Sequence, residues 1–309
     1  REPVSPKHRL PYIPGDIYTY QVIQLDVNAF WSDLPEILET INPQGAMNFK
    51  MITNMFSQMY KIDLSRDLFA NLGTRVITYA RMEGLTKQEL YNWQLRDGSA
   101  IEKMLAKLMG EGSPLKNQLA GFLEIHNLHG HKLYSIKTPS RDMKPGTEAS
   151  PAAAGKGSSE IGFSIVDNSL VMGTEKLVRS HIQAAATKRE ESPFYLSDEF
   201  KNMSKIIPEN AAGYSIIDIG RLVRPMLEIF KSPMMLSFIN RNRSNVKQTP
   251  DGKNNTQPAP MKVFVNNLKF ENLPSIDFIT SFFGKSYGFT LVEGNDIVFR
   301  TTITYPAKR

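Results

Sequence analysis

The sequence predicts an α+β protein with a largely antiparallel sheet, packed helices and two related halves that arose by internal duplication. Two observations lead to this prediction. Several stretches have the pattern of β-hairpins, which pair their strands in antiparallel fashion. In addition, the order strand, aspartate, helix occurs at two distant places in the chain. With 309 residues and 41% hydrophobic content, the chain is long and apolar enough to form a sizeable core.

The internal repeat centres on two aspartates, Asp26 and Asp218. The segment Leu-Asp-Val around Asp26 matches Ile-Asp-Ile around Asp218 without a gap, 192 positions later. Each aspartate follows a short apolar strand and occupies the position of a helix N-cap. Helical apolar patterns follow both, at Phe30, Leu34, Ile37 and Ile41 and at Leu222, Met226 and Ile229. Helix capping therefore accounts for the two aspartates better than a catalytic pair does.

Further strands and hairpins complete the predicted sheet. Leu72-Gly73 and Phe283-Gly284 each open a strand, at 75–80 and 286–291. One hairpin joins strands near 161–166 and 170–172. Its turn is predicted at Asp167-Asn168. The C-terminal ribbon is predicted to turn at Gly294-Asn295, with one face formed by Ile297, Phe299, Thr301, Ile303 and Tyr305.

One further helix carries a recognisable start signal. Ser99 and Glu102 have the spacing of a capping box, in which Ser99 is the N-cap residue. Ile101, Leu105 and Leu108 then form one apolar face. The sequence therefore predicts a helix that begins at Ser99 and ends before Gly110.

The predicted organisation comprises an arm, two halves and two loops. The arm at 1–13 is basic and predicted to be flexible, and the first half spans 14–137. A disordered loop rich in Ala, Gly, Ser and Pro is predicted at 138–160. The second half spans 161–309, with a disordered insertion of sequence SNVKQTPDGKNNTQPAP at 244–260.

Charge and composition narrow the range of partners. The net charge of +6 favours contact with anionic surfaces, but the basic residues are scattered and lack interleaved aromatic side chains. Nucleic acid is therefore not an expected partner. No run of about 18 apolar residues is present, so we predict no transmembrane segment. The absence of cysteine excludes disulfides and thiolate metal sites, and no dinucleotide or phosphate-loop motif predicts a cofactor.

Three histidines lie close together in the sequence. If 122–128 and 131–137 pair around His129-Gly130, His126 and His131 share a face, and Glu124 could complete a zinc or copper site. The alternative is a hairpin with polar residues near a tight turn. We predict the hairpin and no metal, because no further carboxylate or histidine is spaced to orient the ligands.

A methionine-rich helix is the candidate binding surface. Its apolar side chains cover an arc of roughly 220° around a helix. They are Met47, Met51, Met55 and Met59, which recur every four residues, with Phe49, Ile52, Phe56 and Tyr60. Lys50, Thr53, Asn54, Ser57 and Lys61 remain for water. We expect the helix to be sandwiched inside the core, as apolar stripes usually are. The alternative is an apolar ligand or partner surface formed by Met47, Met51, Met55, Met59 and Phe56, because methionine adapts to varied apolar partners.

These segments resemble a family of exported bacterial proteins of unknown function that carry repeated strand–Asp–helix units. The matching pieces are PGDIYTYQVIQLDVNAFWSDL, DLFANLGTRVITYA, GHKLYSIKTP, NSLVMGTEKLVRSHI, IIPENAAGYSIIDIGRL and FFGKSYGFTLVEGNDIVFRTTITYP. They cover most of the chain from Pro14 onward. The resemblance implies a location outside the cytoplasm, in the periplasm or at the cell surface. It also implies that Arg1 begins partway through a longer, membrane-anchored protein. It provides no catalytic residues.

Three functions remain open at this point. The leading hypothesis is a non-enzymatic binding or scaffolding protein of the bacterial envelope, which could bind another envelope protein. The second is a carrier of lipid or another apolar ligand, which requires an elongated apolar cavity. The third is an enzyme without a recognisable motif, which requires convergent ionisable groups in one cleft.

Overall fold

The structure is a computed structural model that describes residues 4–6, 8–119, 121–137, 160–187, 192–230, 232, 274–293 and 296–304. Two of the predicted features, the insertion at 244–260 and the turn at Gly294-Asn295, lie outside these residues. The loop predicted at 138–160 also lies outside them, except for Glu160, which begins a strand.

The described chain contains ten antiparallel strands and nine helices. The strands are β1 Thr19–Gln24, β2 Leu72–Glu83, β3 Thr86–Leu95, β4 Leu123–Leu128, β5 His131–Lys137, β6 Glu160–Val166, β7 Ser169–Thr174, β8 Ala211–Asp218, β9 Lys285–Glu293 and β10 Asp296–Thr304. The helices are α1 Val27–Ile41, α2 Pro43–Tyr60, α3 Gly98–Leu108, α4 Pro114–Leu119, α5 Glu175–Ala186, α6 Pro193–Leu196, α7 Asp198–Ile206, α8 Ile219–Phe230 and α9 Ile276–Thr280. A π-helical turn, Leu64–Leu68, and a 3₁₀ turn, Phe69–Asn71, join α2 to β2. The predicted α+β class with a largely antiparallel sheet is confirmed.

One ten-stranded sheet contains all of these strands, in the order β10-β9-β8-β1-β2-β3-β7-β6-β5-β4. Every neighbouring pair is antiparallel. The ladder between β3 and β7 therefore joins a group of six strands to a group of four. The strand β1 lies centrally and pairs with β2 on one side and with β8 on the other.

Two tight turns fix the hairpins at the predicted positions. Asp167 and Asn168 both have positive φ, at 47° and 57°, and they join β6 to β7. His129 and Gly130 join β4 to β5 with φ of 49° and 87°. Two consecutive residues with positive φ define the type I′ turn, whose twist matches that of the flanking strands. Both hairpin predictions are confirmed.

Aspartates cap the helices, as local side-chain chemistry dictates. Asp26 Oδ1 accepts a hydrogen bond from the Ala29 N–H at 3.0 Å, and Asp218 Oδ1 accepts one from the Arg221 N–H at 2.9 Å. These two predictions are confirmed. The predicted cap at Ser99 is wrong, because α3 begins at Gly98 and Asp97 accepts from the Ala100 N–H.

The main core lies on one face of the sheet, beneath α5, α6 and α7. Buried residues from eight strands and these helices form it, including Tyr20, Val22, Tyr79, Leu133, Val171, Val178, Ile182, Phe200, Met203, Tyr214 and Phe289. Val4, Leu10 and Ile13 are buried in the same cluster. The Leu10 N–H donates to the Tyr195 hydroxyl at 2.8 Å, and the Arg9 guanidinium lies 5.1 Å from the ring centre of Tyr195. For the described residues of 1–13, this packing differs from the flexible arm that the sequence predicted.

A second apolar cluster lies near α3 and the π-helical turn. Its buried members are Ile62, Leu72, Leu95, Ile101, Met104, Leu105, Leu108, Tyr134 and Ile165. Asn168 links the turn between β6 and β7 to the end of β3 and the start of α3. Its side chain accepts a hydrogen bond from the Gly98 N–H at 2.7 Å and donates one to the Leu95 carbonyl at 2.9 Å. Residues of α1 and α2 pack against this second cluster.

Candidate functional site

Helices α1 and α2 form a hairpin that aromatic rings attach to the body of the protein. Trp31 of α1 stacks on Phe69 with ring centres 4.0 Å apart and meets Phe49 of α2 edge-on at 5.0 Å. Its indole N–H donates to the Ser65 hydroxyl at 2.9 Å. Phe56 and Tyr60 of α2 pack against the second apolar cluster. These contacts fix which side of each helix faces inward.

The methionines of α2 face outward. Met47, Met51, Met55 and Met59 are 65%, 62%, 55% and 48% exposed, and Ile52 is 55% exposed. The expectation that α2 is sandwiched inside the core is therefore wrong for this side of the helix. Five large apolar side chains on one helix thus remain exposed, whereas single scattered ones are normal on the surface of a monomer.

The inward side of α2 carries a different set of residues. Ala46 is buried, and Phe49, Phe56 and Tyr60 are half-buried. Phe56 thus packs inward, unlike the exposed methionines with which the sequence grouped it. Thr53 and Ser57, expected to face water, are also half-buried and line a cleft between the two helices.

Helix α1 adds exposed apolar side chains that the sequence did not identify as a surface. Phe30, Ile37 and Ile41 are 54%, 41% and 76% exposed, and no residue of α1 is fully buried. Their helical spacing was visible in the sequence, but spacing does not show which way a helical face points. The α1–α2 hairpin therefore presents apolar groups from both helices.

Polar side chains line the cleft between the two helices, and the exposed apolar side chains lie elsewhere on each helix. The cleft between the helices is lined by Ser32 of α1 and by Lys50 and Asn54 of α2. Phe30 and Ile37 lie roughly 140–160° around α1 from Ser32, at 100° per residue. Ile52 lies about 160° around α2 from Lys50 by the same spacing. On each helix these apolar side chains thus lie away from the residues that line the cleft.

The charges of the hairpin are mainly acidic. Between Val27 and Tyr60 the sequence has three acidic residues, Asp33, Glu36 and Glu39, and one basic residue, Lys50. Lys50 Nζ lies 3.9 Å from a carboxylate oxygen of Glu39. Asp33 and Glu36 are exposed. The local charge is thus opposite in sign to the net charge of the whole chain.

The described helices include none with the length and apolar character needed to cross a membrane.

The histidine hairpin has the predicted geometry. His126 faces Leu133 and His131 faces Leu128 across β4 and β5, so the two histidines share a face. His131 Nδ1 donates to the Ile165 carbonyl at 2.9 Å, and His126 Nε2 lies 3.4 Å from Glu124. Within the described part of the chain, no group of three or more potential ligands could hold a metal ion.

A second cleft collects charged groups at the start of α8, but these groups pair with one another. Arg221 contacts Asp218 and donates to the carbonyl of Ile17 at 3.0 Å. Arg224 forms an ion pair with Asp277 across α8 and α9, and Lys285 of β9 forms one with Glu199 of α7. These pairs tie separate elements together and indicate a structural role for the cleft.

Among these groups, Glu199 has a strongly shifted pKa. Partial burial alone would raise the pKa of its carboxyl, but the hydrogen bond from the Lys285 ammonium and a backbone N–H lower it from 4.5 to about 2. The folded protein therefore gains stability from this carboxylate above pH 4.5, and that gain is lost as the pH falls toward 2.

We expect Glu199→Gln to lower the free energy of unfolding by about 2 kcal/mol at pH 7, allowing for screening at this partly exposed pair. The difference from the wild type should shrink as the pH falls from 4.5 toward 2. Urea unfolding across this range measures it. The exposed Glu209→Gln is the control and should change stability little. A constant difference at every pH would contradict the role of the charge.

The fold and its surfaces define the class of protein: an α+β protein with one ten-stranded antiparallel sheet, a core on one face and an apolar helical hairpin at the surface. Comparisons with protein-family models, with curated proteins and with solved structures found no match to this chain.

Proposed function

We propose that this protein is a non-enzymatic binding or scaffolding protein of the bacterial envelope that docks an apolar partner through its α1–α2 hairpin. The observation that carries the proposal is the outward position of Met47, Met51, Met55 and Met59, which are about half to two-thirds exposed. Groups of exposed apolar side chains often mark interaction sites in soluble domains. Methionine suits such a surface because its side chain is flexible and polarisable.

The carrier hypothesis receives less support from the same residues. A carrier of lipid encloses its ligand, so its methionines would line an internal cavity. Met51 and Met55 instead lie on the outer side of α2, away from the aromatic contacts that attach the hairpin. A surface that docks a partner fits this position better than a carrier pocket does.

The location in the envelope rests on the resemblance to exported bacterial proteins and is compatible with a chain that has no cysteine. Fractionation of cells that express the protein tests it. Recovery in the periplasmic or membrane fraction supports the location, and recovery in the cytosol overturns it.

We also propose that the two halves arose by duplication. Three observations support this. The strands β1, β2 and β3 pair in sequence order, as do β8, β9 and β10. The two sets meet where β1 pairs with β8, so the order from β10 to β3 is symmetric about that pair. Asp26 and Asp218 cap equivalent helices after the first strand of each set.

We expect the double variant Met51→Gln and Met55→Gln to lose binding of a hydrophobic fluorescent dye that the folded wild type binds. Glutamine replaces an exposed apolar group by a polar one of similar size, so the free energy of unfolding should change by less than about 1 kcal/mol. Dye titration and urea unfolding measure the two quantities.

The matched control is Met226→Gln, because Met226 of α8 is 56% exposed, as Met55 is at 55%. This control should retain dye binding at the hairpin. If the wild type binds no dye and the double variant unfolds, the methionines belong to the core and the docking function is overturned.

A further inference from the structure

The exposed methionines of α2 are also a group of reactive sulfur atoms. Among the residues that the structure describes, five methionines are exposed, and four of these lie on α2. Met47, Met51, Met55 and Met59 follow one another at four-residue intervals, which places successive side chains side by side. These four residues form a methionine ridge that is roughly 18 Å long at 1.5 Å per residue. Their thioether sulfurs are therefore close together and open to dissolved reagents.

The composition of the chain leaves methionine as its accessible sulfur. The chain has 14 methionines and no cysteine. Cysteine and methionine are the side chains on which mild oxidants act through sulfur, and their susceptibility follows exposure. Met104 and Met203 are only 7% and 0% exposed, so the apolar clusters shield them. A peroxide should therefore modify the methionine ridge before it modifies the core.

Oxidation of the methionine ridge would change what it binds and leave the fold intact. A sulfoxide oxygen is a hydrogen-bond acceptor, and burying such a polar group against an apolar partner is unfavourable. In the free protein the same oxygen stays in water, because the ridge side chains are 48% to 65% exposed. The inward contacts of α2 are made by Phe49 and Phe56 instead. The modification thus acts on docking and spares the packing of the hairpin.

We propose that the methionine ridge is a site of reversible oxidation, at which a peroxide converts Met47, Met51, Met55 and Met59 to methionine sulfoxide and switches apolar docking off. With hydrogen peroxide, the O–O bond breaks and one oxygen atom forms a bond to the thioether sulfur. The other oxygen leaves as water with both protons, and the sulfur supplies the two electrons that reduce the peroxide. Methionine sulfoxide reductases, one for each sulfoxide epimer, restore the thioether. This inference rests on the proposed docking function and adds a regulation of the same surface.

The first measurement locates the oxidation. The purified protein is treated with hydrogen peroxide, and mass spectrometry of its peptides follows sulfoxide formation with time. We expect the ridge methionines to be oxidised about tenfold or more faster than Met104 and Met203. Equal rates at Met203 and at the ridge, in protein that circular dichroism shows to be folded, would overturn the proposed site.

The second measurement follows the binding of anilinonaphthalene sulfonate, a hydrophobic fluorescent dye. Oxidation of the wild type should weaken dye binding about tenfold and leave the midpoint of urea unfolding unchanged. Treatment with both sulfoxide reductases should restore the binding. Because the chain has no cysteine, the thiol reductant that these enzymes need has no disulfide of this chain to reduce.

A matched pair of variants assigns the effect to the methionine ridge. Leucine has a similar volume to methionine and no sulfur, so replacing all four ridge methionines by leucine keeps the surface apolar and removes the reaction. Each protein is compared with its own untreated sample. Peroxide should change dye binding less than about twofold in the leucine variant and about tenfold in Met226→Leu, which removes the exposed methionine of α8.

Two results would overturn the switch. One is unchanged dye binding in wild type whose ridge is fully oxidised, and the other is an equal loss in the leucine variant and the wild type. If dye binding still depends on Met51 and Met55 in the glutamine variant, the docking function stands and only its regulation fails. If untreated protein binds dye independently of these methionines, or binds none, the docking function fails and the switch fails with it.

Discussion

Replacing Gly173 by alanine is expected to prevent folding or to lower the free energy of unfolding by about 4 kcal/mol. Gly173 lies in β7 opposite Leu90 of β3 and has φ of 149°, a conformation that residues with a side chain rarely adopt. A Cβ atom there would overlap the carbonyl oxygen of Glu89 and lie 2.9 Å from the Cα of Leu90. Since both neighbours are backbone atoms, the strands would have to separate.

The effect is large because of where this contact lies in the sheet. The ladder between β3 and β7 joins the group of six strands to the group of four, and α5 packs across the same region. Separating β3 from β7 would expose the apolar core on both sides of this ladder. A steric overlap at Gly173 thus strains the ladder that connects the two strand groups.

The control for this prediction is Gly84→Ala. Gly84 also has positive φ, at 59°, but no atom lies within 4 Å of the position its Cβ would occupy. This substitution should lower the free energy of unfolding by only about 1–2 kcal/mol, because of backbone strain. Urea unfolding, with circular dichroism where a variant is too unstable to titrate, compares the two. Equal losses of unfolding free energy in both variants would show that the close approach of the Glu89 carbonyl oxygen does not determine the effect at Gly173.

Acidification from pH 7 to pH 4 is expected to lower the free energy of unfolding by about 3 kcal/mol through one residue, His181. His181 of α5 is 1% exposed, and burial lowers the pKa of its imidazole from 6.5 to about 4. The unfolded chain takes up a proton below pH 6.5, whereas the folded chain resists it until pH 4. The contribution is therefore complete above pH 6.5 and is lost as the pH falls toward 4.

His181→Leu should remove this loss and leave stability nearly constant between pH 7 and pH 4. Leucine fills a similar volume at this buried position of α5 without a titrating group. His126→Gln is the control, because the His126 side chain is 37% exposed, and it should keep the acid sensitivity of the wild type. Thermal unfolding at several pH values measures all three proteins. An unchanged pH profile in His181→Leu would assign the loss to another group.

The acid responses of His181 and Glu199 fall in separate ranges. The contribution of His181 disappears between pH 6.5 and 4, and that of Glu199 between pH 4.5 and 2. The two windows overlap only slightly, so single variants resolve them.

Features that depend on neighbouring residues were predictable from the sequence. The turns at Asp167-Asn168 and His129-Gly130 and the caps at Asp26 and Asp218 formed as expected. Each depends on side-chain or backbone geometry within about four residues, where local propensity dominates. The cap of α3 was misassigned because Asp97 and Ser99 lie two residues apart and both residue types serve as N-caps.

The candidate surface was only partly predictable. The sequence identified Met47, Met51, Met55 and Met59 as an apolar stripe, but it grouped Phe56 with them and favoured burial. Periodicity reports that a helix has an apolar arc, and an arc of roughly 220° is wider than one packing face needs. Such a pattern allows either half of the arc to face inward.

By itself, the sequence determined the α+β class, the antiparallel hairpins and the capped helices, because these follow from local hydrogen bonding and turn chemistry. Only the tertiary structure decided that β1 pairs with β8, that Leu10 and Ile13 join the core, and that the methionines face outward. These outcomes depend on residues far apart in the chain. Trp31 contacts both Phe69 and Phe49 on the inner side of α2, and the methionines of α2 are exposed to solvent or to a partner.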